Sequence, residues 1–142
     1  MTRRRHASGS PYESLLGFSR AVRVGDRVLV SGTAPIWPDG TCDPDPVAQA
    51  RRCLEIVGEA LDALGASLVD VVRTRTYLVD RRDQEAVGRV HGEVFGEVRP
   101  ASTMVVVGGL LDPRWRVEME AEAIVPAERS ADAAPKDAEA DG

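Results

Sequence analysis

The sequence predicts an α+β fold in which two helices pack on one face of a mixed β-sheet, with elements in the order ββαβαββ. Three features support this prediction: two short β-rich runs near the start, two segments with apolar residues at helical spacing, and alternating strands in the second half. A chain of 142 residues has the length of one domain. We expect this domain to span residues 13–126, between a flexible basic N-terminal arm (1–12) and a disordered acidic tail (127–142).

The first strands and the first helix carry clear local signals. The run GFSRAVRVGDRVLVSG predicts a hairpin that turns at Gly25 and Asp26, and a loop rich in Pro, Gly and Asp follows it. Asp45 is the expected N-cap of a helix, Pro46 suits its first turn, and Gly65 ends it. The apolar positions of this helix are Val47, Ala50, Leu54, Val57, Leu61 and Leu64. A single apolar stripe predicts that the helix lies on a sheet.

The second half of the chain predicts a strand, a helix and two more strands. The run LVDVVRTRTYLVD alternates, so one face of its strand carries Arg73, Arg75 and Tyr77. A second helix is expected from Asp80 to about Val98, before the strands in STMVVV and WRVEMEAEAIV. Gly88 and Gly92 lie four residues apart on this helix. They indicate either a close approach of the helix to the sheet or space for a ligand.

Three glutamates share one face of the last strand: Glu118, Glu120 and Glu122. Neighbouring carboxylates repel each other unless they are solvated or paired. One interpretation is that arginines of another strand, such as Arg73 and Arg75, neutralise this face. The other is that one glutamate, with Glu118 the first candidate, is partly desolvated and acts as an acid or base. The sequence leaves both interpretations open.

Composition argues against several classes of protein. The net charge of -5 and the presence of only two Trp, two Tyr and two Phe disfavour a nucleic-acid binder. No apolar run approaches the roughly 18 residues of a membrane span, and the basic start lacks the apolar stretch of a secretory signal, so a cytoplasmic location is expected. Cys42 and Cys53 form no CxxC pair, which gives a metal site little support, and Cys53 is expected to pack on the first helix.

Several runs, taken in order, resemble the RidA superfamily, also called the YjgF/YER057c/UK114 family. They are GFSRAV and VLVSG, the helix QARRCLEIVGEALDALGAS, DVVRTRTYLVD, RPAST and VEMEAEAIV, and together they span nearly all of residues 17–125. The resemblance implies a chorismate-mutase-like fold assembled as a homotrimer, with small-molecule clefts at the subunit interfaces. It also implies hydrolysis of enamines and imines derived from amino acids to 2-oxo acids and ammonia, without a metal or an organic cofactor.

The resemblance also identifies where this chain departs from the imine-hydrolysing members. In those members the segment reads Pro-Ala-Arg-Ser, and its arginine pairs with the substrate carboxylate. Here Ser102, which follows Pro100 and Ala101, stands at the position of that arginine. A guanidinium binds a carboxylate through two charge-assisted hydrogen bonds, but a serine hydroxyl donates one and carries no charge. By the same resemblance, Phe18 replaces a tyrosine, Gly88 an asparagine, and Met104 a cysteine. The pocket walls should therefore be less polar and roomier.

Two family features are kept, and one arginine is a candidate replacement. The resemblance implies that the backbone of Gly32 faces the ligand and that Glu118 lies near the attacking water. Arg20 follows Phe18 by two residues, so we expect both side chains on one face of one strand, with Arg20 at the rim of the cleft or in an ion pair elsewhere. The predicted site thus contains Phe18, Arg20, Gly32, Gly88, Ser102, Met104 and the catalytic Glu118.

Three function classes remain open. The first is an enamine or imine deaminase acting on a non-standard substrate, as a general hydrolase or in a dedicated biosynthetic step. The second is a trimer that binds a metabolite without turning it over. The third is an endoribonuclease, which the acidic composition disfavours.

Overall fold

The computed structural model describes residues 2–130 and 139–141 and contains one mixed sheet with helices against it. The elements in chain order are β1 (Arg3–His6), α1 (Pro11–Leu16), β2 (Ala21–Val24), β3 (Arg27–Thr33), α2 (Pro46–Ala63), β4 (Val71–Leu78), α3 (Gln84–Phe95), β5 (Ala101–Val106), β6 (Val117–Ile124), α4 (Ala127–Ser130) and β7 (Glu139–Asp141). The strand order across the sheet is β5-β4-β6-β3-β2-β1-β7. The predicted ββαβαββ core is therefore confirmed, with short elements added at both ends.

The sheet is mixed because its strands are joined in two different ways. β2 and β3 form a hairpin through Gly25 and Asp26, as predicted, and Gly25 has a φ of 62° that suits this tight turn. β4 and β5 are parallel because α3 connects them as a crossover. β6 is antiparallel to both β3 and β4 and lies between them. The last strand of the core is thus central in the sheet.

Helices α2 and α3 cover one face of the sheet. Asp45 caps α2 by accepting a hydrogen bond from the backbone N–H of Val47 at 3.1 Å. Leu54, Val57 and Leu61 of α2 are buried, as the apolar stripe predicts. Their partners in the core include Val87, Val90, Phe95, Val117, Met119, Ala121 and Ala123. We call the other face, which carries Glu118, Glu120 and Glu122, the open face.

The ends of the chain differ from the sequence prediction. Residues Arg3–His6, expected in a flexible arm, form a strand that pairs with β2. The basic side chains do not prevent strand formation, because strands pair through backbone N–H and C=O groups. Only every second side chain points toward a given face of the sheet. Within the expected acidic tail, α4 is tied to the core by an ion pair of Arg129 with the buried Asp70, and β7 pairs with β1. Residues 131–138 and 142 lie outside the described residues.

Two boundaries inside the core also differ. A bulge between Val71 and Arg73 interrupts the register of β4 with β6. Strict alternation would put Val72 on the same face as the buried Thr74, but Val72 is 41% exposed. The second helix begins at Gln84 rather than at Asp80. The reason is local: the Asp80 carboxylate accepts from the Arg82 N–H at 2.9 Å and starts a 3₁₀ turn instead. The helix ends at Phe95, before Gly96, and so falls short of Val98.

Candidate functional site

Glu118 and Gly32 meet on the open face, where β6 lies beside β3. A β-carbon placed on Gly32 would lie 3.2 Å from Glu118 Oε2 and 3.4 Å from its Cδ. The carboxylate therefore rests against the backbone of β3 at a distance that only glycine leaves clear. The register of β3 with β6 shifts between Val30 and Thr33, which turns Gly32 toward this neighbour.

Arg20 completes this group, which we call the Glu118 cluster (Arg20, Gly32 and Glu118). Its Nη2 donates a 2.5 Å hydrogen bond to the Gly32 carbonyl, and its Nε is buried without a hydrogen-bond partner among the described residues. Burial lowers the pKa of Arg20, and the nearby carboxylates of Glu13 and Glu118 oppose that shift. The guanidinium remains a cation beside Glu118.

Burial controls the protonation of Glu118. Desolvation raises the pKa of this carboxyl above its ordinary 4.5; the charge of Arg20 opposes the shift and that of Glu120 adds to it. A half-buried carboxyl with a raised pKa is suited to exchanging a proton with a substrate or with water. The interpretation of Glu118 as the partly desolvated member of the three glutamates agrees with this environment.

The other two glutamates are neutralised, in agreement with the first interpretation of the acidic face. Arg75 Nη1 lies 3.7 Å from Glu120 Oε1 and 3.6 Å from Glu122 Oε1. Arg27 pairs with Glu122 at 3.3 Å, and the Tyr77 hydroxyl donates to Glu120 Oε1 at 2.5 Å. Each interpretation therefore applies to different residues of the same strand.

Phe18 is not on the strand that was predicted to hold it with Arg20. Helix α1 ends at Gly17, whose φ of 77° redirects the chain, and β2 begins only at Ala21. Phe18 is 44% exposed and lines a cavity of about 580 Å³ with residues that include Arg3, Ser14 and Ser31. Arg20 lines a different cavity, of about 610 Å³, between the N-terminal segment and α2. The expectation that the two side chains share a strand face is wrong.

Ser102 and Met104 lie on the helix-covered face of β5. Their register partners on β4 are the buried Thr74 and Thr76, and Met104 packs against the core. The Thr74 hydroxyl donates to Ser102 Oγ at 3.0 Å. Thr74 Oγ1 also lies 2.8 Å from His91 Nε2 on α3. Sequence reasoning missed Thr74 and His91. The available signal was the spacing of three residues that places His91 and Gly88 on one helix face.

Four of the seven predicted site residues lie on opposite faces of the sheet. Glu118 and Gly32 are on the open face, and Ser102 and Met104 are on the helix-covered face. A β-sheet separates its two faces completely along neighbouring strands. One copy of this chain therefore does not bring Glu118 and Ser102 together.

Gly88 and Gly92 are not positions of close helix packing. A β-carbon at either residue would meet nothing within 4 Å, so the predicted close approach to the sheet is wrong. Gly88 lines a surface depression of about 580 Å³ together with Arg81, Arg82, Gln84, Glu85 and Arg89. Space for a ligand at Gly88 stays a prediction.

No group of three or more His, Cys, Asp or Glu side chains within 2–130 and 139–141 is arranged to hold a metal ion. No helix in the same residues is long and apolar enough to cross a membrane.

Comparison with known proteins identifies relatives over most of the chain. The family model described as endoribonuclease L-PSP matches residues 10–125. An uncharacterised protein of Streptomyces coelicolor is 44% identical over 121 residues, covering 84% of this chain and 90% of that protein. A RutC family protein of Pyrococcus abyssi is 38% identical over 107 residues, covering 73% of this chain and 83% of that protein.

Solved structures show the same fold. A YjgF/YER057c/UK114 family member from Mycobacterium tuberculosis superposes with a TM-score of 0.80 at 44% identity, covering 87% of this chain and 99% of that one. The YjgF gene product of E. coli gives 0.72 at 28% identity, with 84% and 92% covered. E. coli TdcF with bound serine gives 0.73 at 27% identity, with 87% and 94% covered. The chain belongs to the endoribonuclease L-PSP family, the YjgF/YER057c/UK114 group that its sequence resembles, and has the chorismate-mutase-like fold of that family.

Proposed function

We propose that this protein hydrolyses an enamine or imine in a cleft between subunits of a homotrimer, with Glu118 as the acid and base. The observation that supports the chemistry most directly is the Glu118 cluster. It places a half-buried carboxyl of raised pKa against backbone at Gly32 and beside the cation Arg20. A carboxyl with a raised pKa holds its proton more readily than an exposed glutamate does, so it can both take up and give up a proton during the reaction.

Hydrolysis of an imine needs a group that first removes a proton from the attacking water and then donates a proton to the leaving amino group. The substrate reacts as the iminium, already protonated on nitrogen. As water attacks its carbon, the carboxylate of Glu118 removes a proton from the water, and the π electrons of the C=N bond move to nitrogen to give the neutral carbinolamine. Glu118 then gives its proton to the amino group. The C–N bond breaks and ammonia leaves as the C=O bond forms, and the hydroxyl proton passes through Glu118 to the departing ammonia. Arg20 stabilises the ionised state of Glu118 during the first of these steps.

The proposed trimer rests on the placement of the site residues. Because Glu118 and Ser102 lie on opposite faces of one sheet, a cleft that contains both requires a second copy of the chain. Strand β5 at the edge of the sheet is exposed along both faces and presents Val105 and Val106, and Leu29 is exposed on β3. Apolar surface of this kind favours association. Light scattering should give a mass of three times 15.3 kDa, and a monomer in solution would contradict the assembly.

Relatives support a small molecule as the ligand. The E. coli protein TdcF, with the same fold, has been solved with bound serine. The name of the family model instead points to ribonuclease activity. The net charge of -5 would repel RNA phosphates, so we expect no RNA binding at physiological salt.

The decisive experiment measures hydrolysis of freshly generated 2-imino acids, both small and bulky, by the parent protein and three variants. Glu118→Gln should lower the rate by about a hundredfold or more, because it removes the acid and base. Glu120→Gln makes the same chemical change on the same face, outside the Glu118 cluster, and should retain most of the rate. Ser102→Arg tests whether an arginine at that position restores recognition of a carboxylate.

Two outcomes would redirect the proposal. If the parent protein does not accelerate hydrolysis and Ser102→Arg does, the scaffold is intact and acts on another ligand. If neither is active while a small molecule still binds, the protein is a metabolite-binding trimer without this activity.

A further inference from the structure

Three side chains form a hydrogen-bonded chain from the edge of the sheet to α3. Ser102 is an exposed residue of β5, Thr74 is 3% exposed on β4, and His91 is half-buried on α3. The distances are 3.0 Å between the two hydroxyl oxygens and 2.8 Å between Thr74 Oγ1 and His91 Nε2. The His91 ring lies 4.7 Å from that of Phe95, which packs beside it. We call these three residues the Ser102 triplet.

The Ser102 triplet can present either a donor or an acceptor at its exposed end. The Thr74 hydroxyl has one proton, so it accepts from one neighbour while it donates to the other. When His91 Nε2–H donates to Thr74, Thr74 donates to Ser102, and the Ser102 O–H is free to donate outward. When Ser102 donates to Thr74, Thr74 donates to an unprotonated Nε2, and Ser102 accepts from outside. Burial lowers the pKa of His91 and favours the neutral ring, which permits both arrangements.

The strand that carries Ser102 contributes no charge beside it. Strand β5 contains no ionisable residue, and its neighbours along the strand include Met104, Val105 and Val106. A carboxylate bound there would lose its water without gaining a cation from this strand. An uncharged polar group would lose far less and would still form a hydrogen bond with the oriented hydroxyl.

We propose that the Ser102 triplet selects ligands that carry an uncharged hydrogen-bonding group, such as a carboxamide, in preference to a carboxylate. Ser102 contacts the group, and Thr74 and His91 position the Ser102 hydroxyl. This inference rests on the proposed function in one respect, namely that Ser102 lines the ligand cleft. It narrows the substrate class to neutral derivatives of 2-imino acids and the product class to neutral derivatives of 2-oxo acids.

The test uses two stable probes that differ only at this group, 2-oxobutanamide and 2-oxobutanoate, titrated into the full chain. Binding is followed by calorimetry and by amide NMR shifts. The parent protein should bind the carboxamide about tenfold more tightly than the carboxylate. Ser102→Ala should abolish this preference, and Ser102→Arg should reverse it. Thr103→Ala is the matched control, since Thr103 is the next exposed hydroxyl on β5 and faces the other side of the sheet; it should retain the preference.

The positioning role is tested separately. Thr74→Val keeps the shape of the buried side chain but breaks the hydrogen-bonded chain, and it should reduce the preference to about twofold or less, whereas Thr74→Ser should retain it. The ¹⁵N shift of His91 Nε2 should change in Thr74→Val, with His6, the other histidine, as the internal reference.

Equal affinity for the two probes, preference for the carboxylate, or failure of the parent to bind either one would overturn the inference. A preference that survives Thr74→Val would overturn the role of Thr74 and His91. Binding of the stable probes requires no turnover. The preference for the carboxamide can therefore be measured even if the protein proves not to hydrolyse imines, and the two proposals can fail separately.

Discussion

Glu118 Oε2 lies 3.2 Å from the point that a β-carbon of Gly32 would occupy, although the two residues are 86 positions apart in the sequence. The contact exists because β6 inserts beside β3 and because the register shifts between Val30 and Thr33. The carboxylate thereby lies beside the α-carbon of Gly32, the residue whose carbonyl accepts a hydrogen bond from Arg20. Strand pairing, rather than any local motif, builds this group.

Gly32→Ala should damage the site without damaging the fold. The added methyl group would meet the end of a flexible side chain, so Glu118 moves by a few tenths of an ångström while the backbone of β3 stays in place. Because catalysis depends steeply on the position of the reacting group, imine hydrolysis should fall by about tenfold. The melting temperature should change by less than about 3 °C. Gly108→Ala, where a β-carbon meets nothing within 4 Å, should change neither quantity.

Glu118→Gln should stabilise the protein at neutral pH and not in acid. Burial raises the pKa of Glu118 in the folded state, so its protonated form is favoured there, and its contribution to stability is lost as pH rises through the raised pKa. Glutamine is neutral throughout. The melting temperature of the variant minus that of the parent should therefore be near zero at about pH 4 and positive at about pH 7.5. A constant difference across this range would contradict a raised pKa.

Local patterns were sufficient to predict most of the fold. The cap at Asp45, the apolar stripe of α2 and the alternation of β6 each depend on residues that are close in sequence, and the structure confirms them. The strand β1 could not be predicted in this way. Its stability comes from backbone pairing with the edge of β2, which the side chains Arg3–His6 do not specify.

The candidate site was harder to predict because it depends on the order of strands. The resemblance placed Gly32 beside the ligand and Glu118 near the attacking water. The structure brings the two residues together on the open face, and their roles at a ligand site stay a prediction. Sequence reasoning could not show that Ser102 faces away from Glu118, because that follows from the order β5-β4-β6 and from the register of Thr74 with Ser102. The sequence marks position 102 because Ser102 replaces the arginine of the family pattern. Only the fold shows that His91 lies near it, through Thr74.

Arg116→Leu should destabilise the fold by about 2 kcal/mol. Arg116 binds Asp83 through two hydrogen bonds, of 2.9 and 3.0 Å, and the Asp83 side chain is only 8% exposed, so the variant leaves a buried carboxylate unpaired. The loss should be smaller than for a fully buried pair, because the arginine is 38% exposed. Arg82→Leu removes a similar pair with Asp80 at a side chain that is 85% exposed, and it should lower stability much less than Arg116→Leu does. Urea unfolding of both variants measures the difference, and equal losses would refute the distinction.

The two cysteines should differ sharply in reactivity. Cys53 is fully buried on α2, as predicted, and burial raises the pKa of its thiol far above the ordinary range, whereas Cys42 is partly exposed near Gln49 and Arg114. Native protein should therefore react with one equivalent of a thiol-specific chromogenic disulfide, and unfolded protein with two. Burial also raises the pKa of Cys42, so the native reaction at about pH 8 should be slower than that of free cysteine, because only the thiolate attacks. Cys42→Ser should abolish the native reaction and Cys53→Ala should leave it unchanged. Rapid labelling of Cys53 in the folded protein would show that the α2 face opens more readily than its packing indicates.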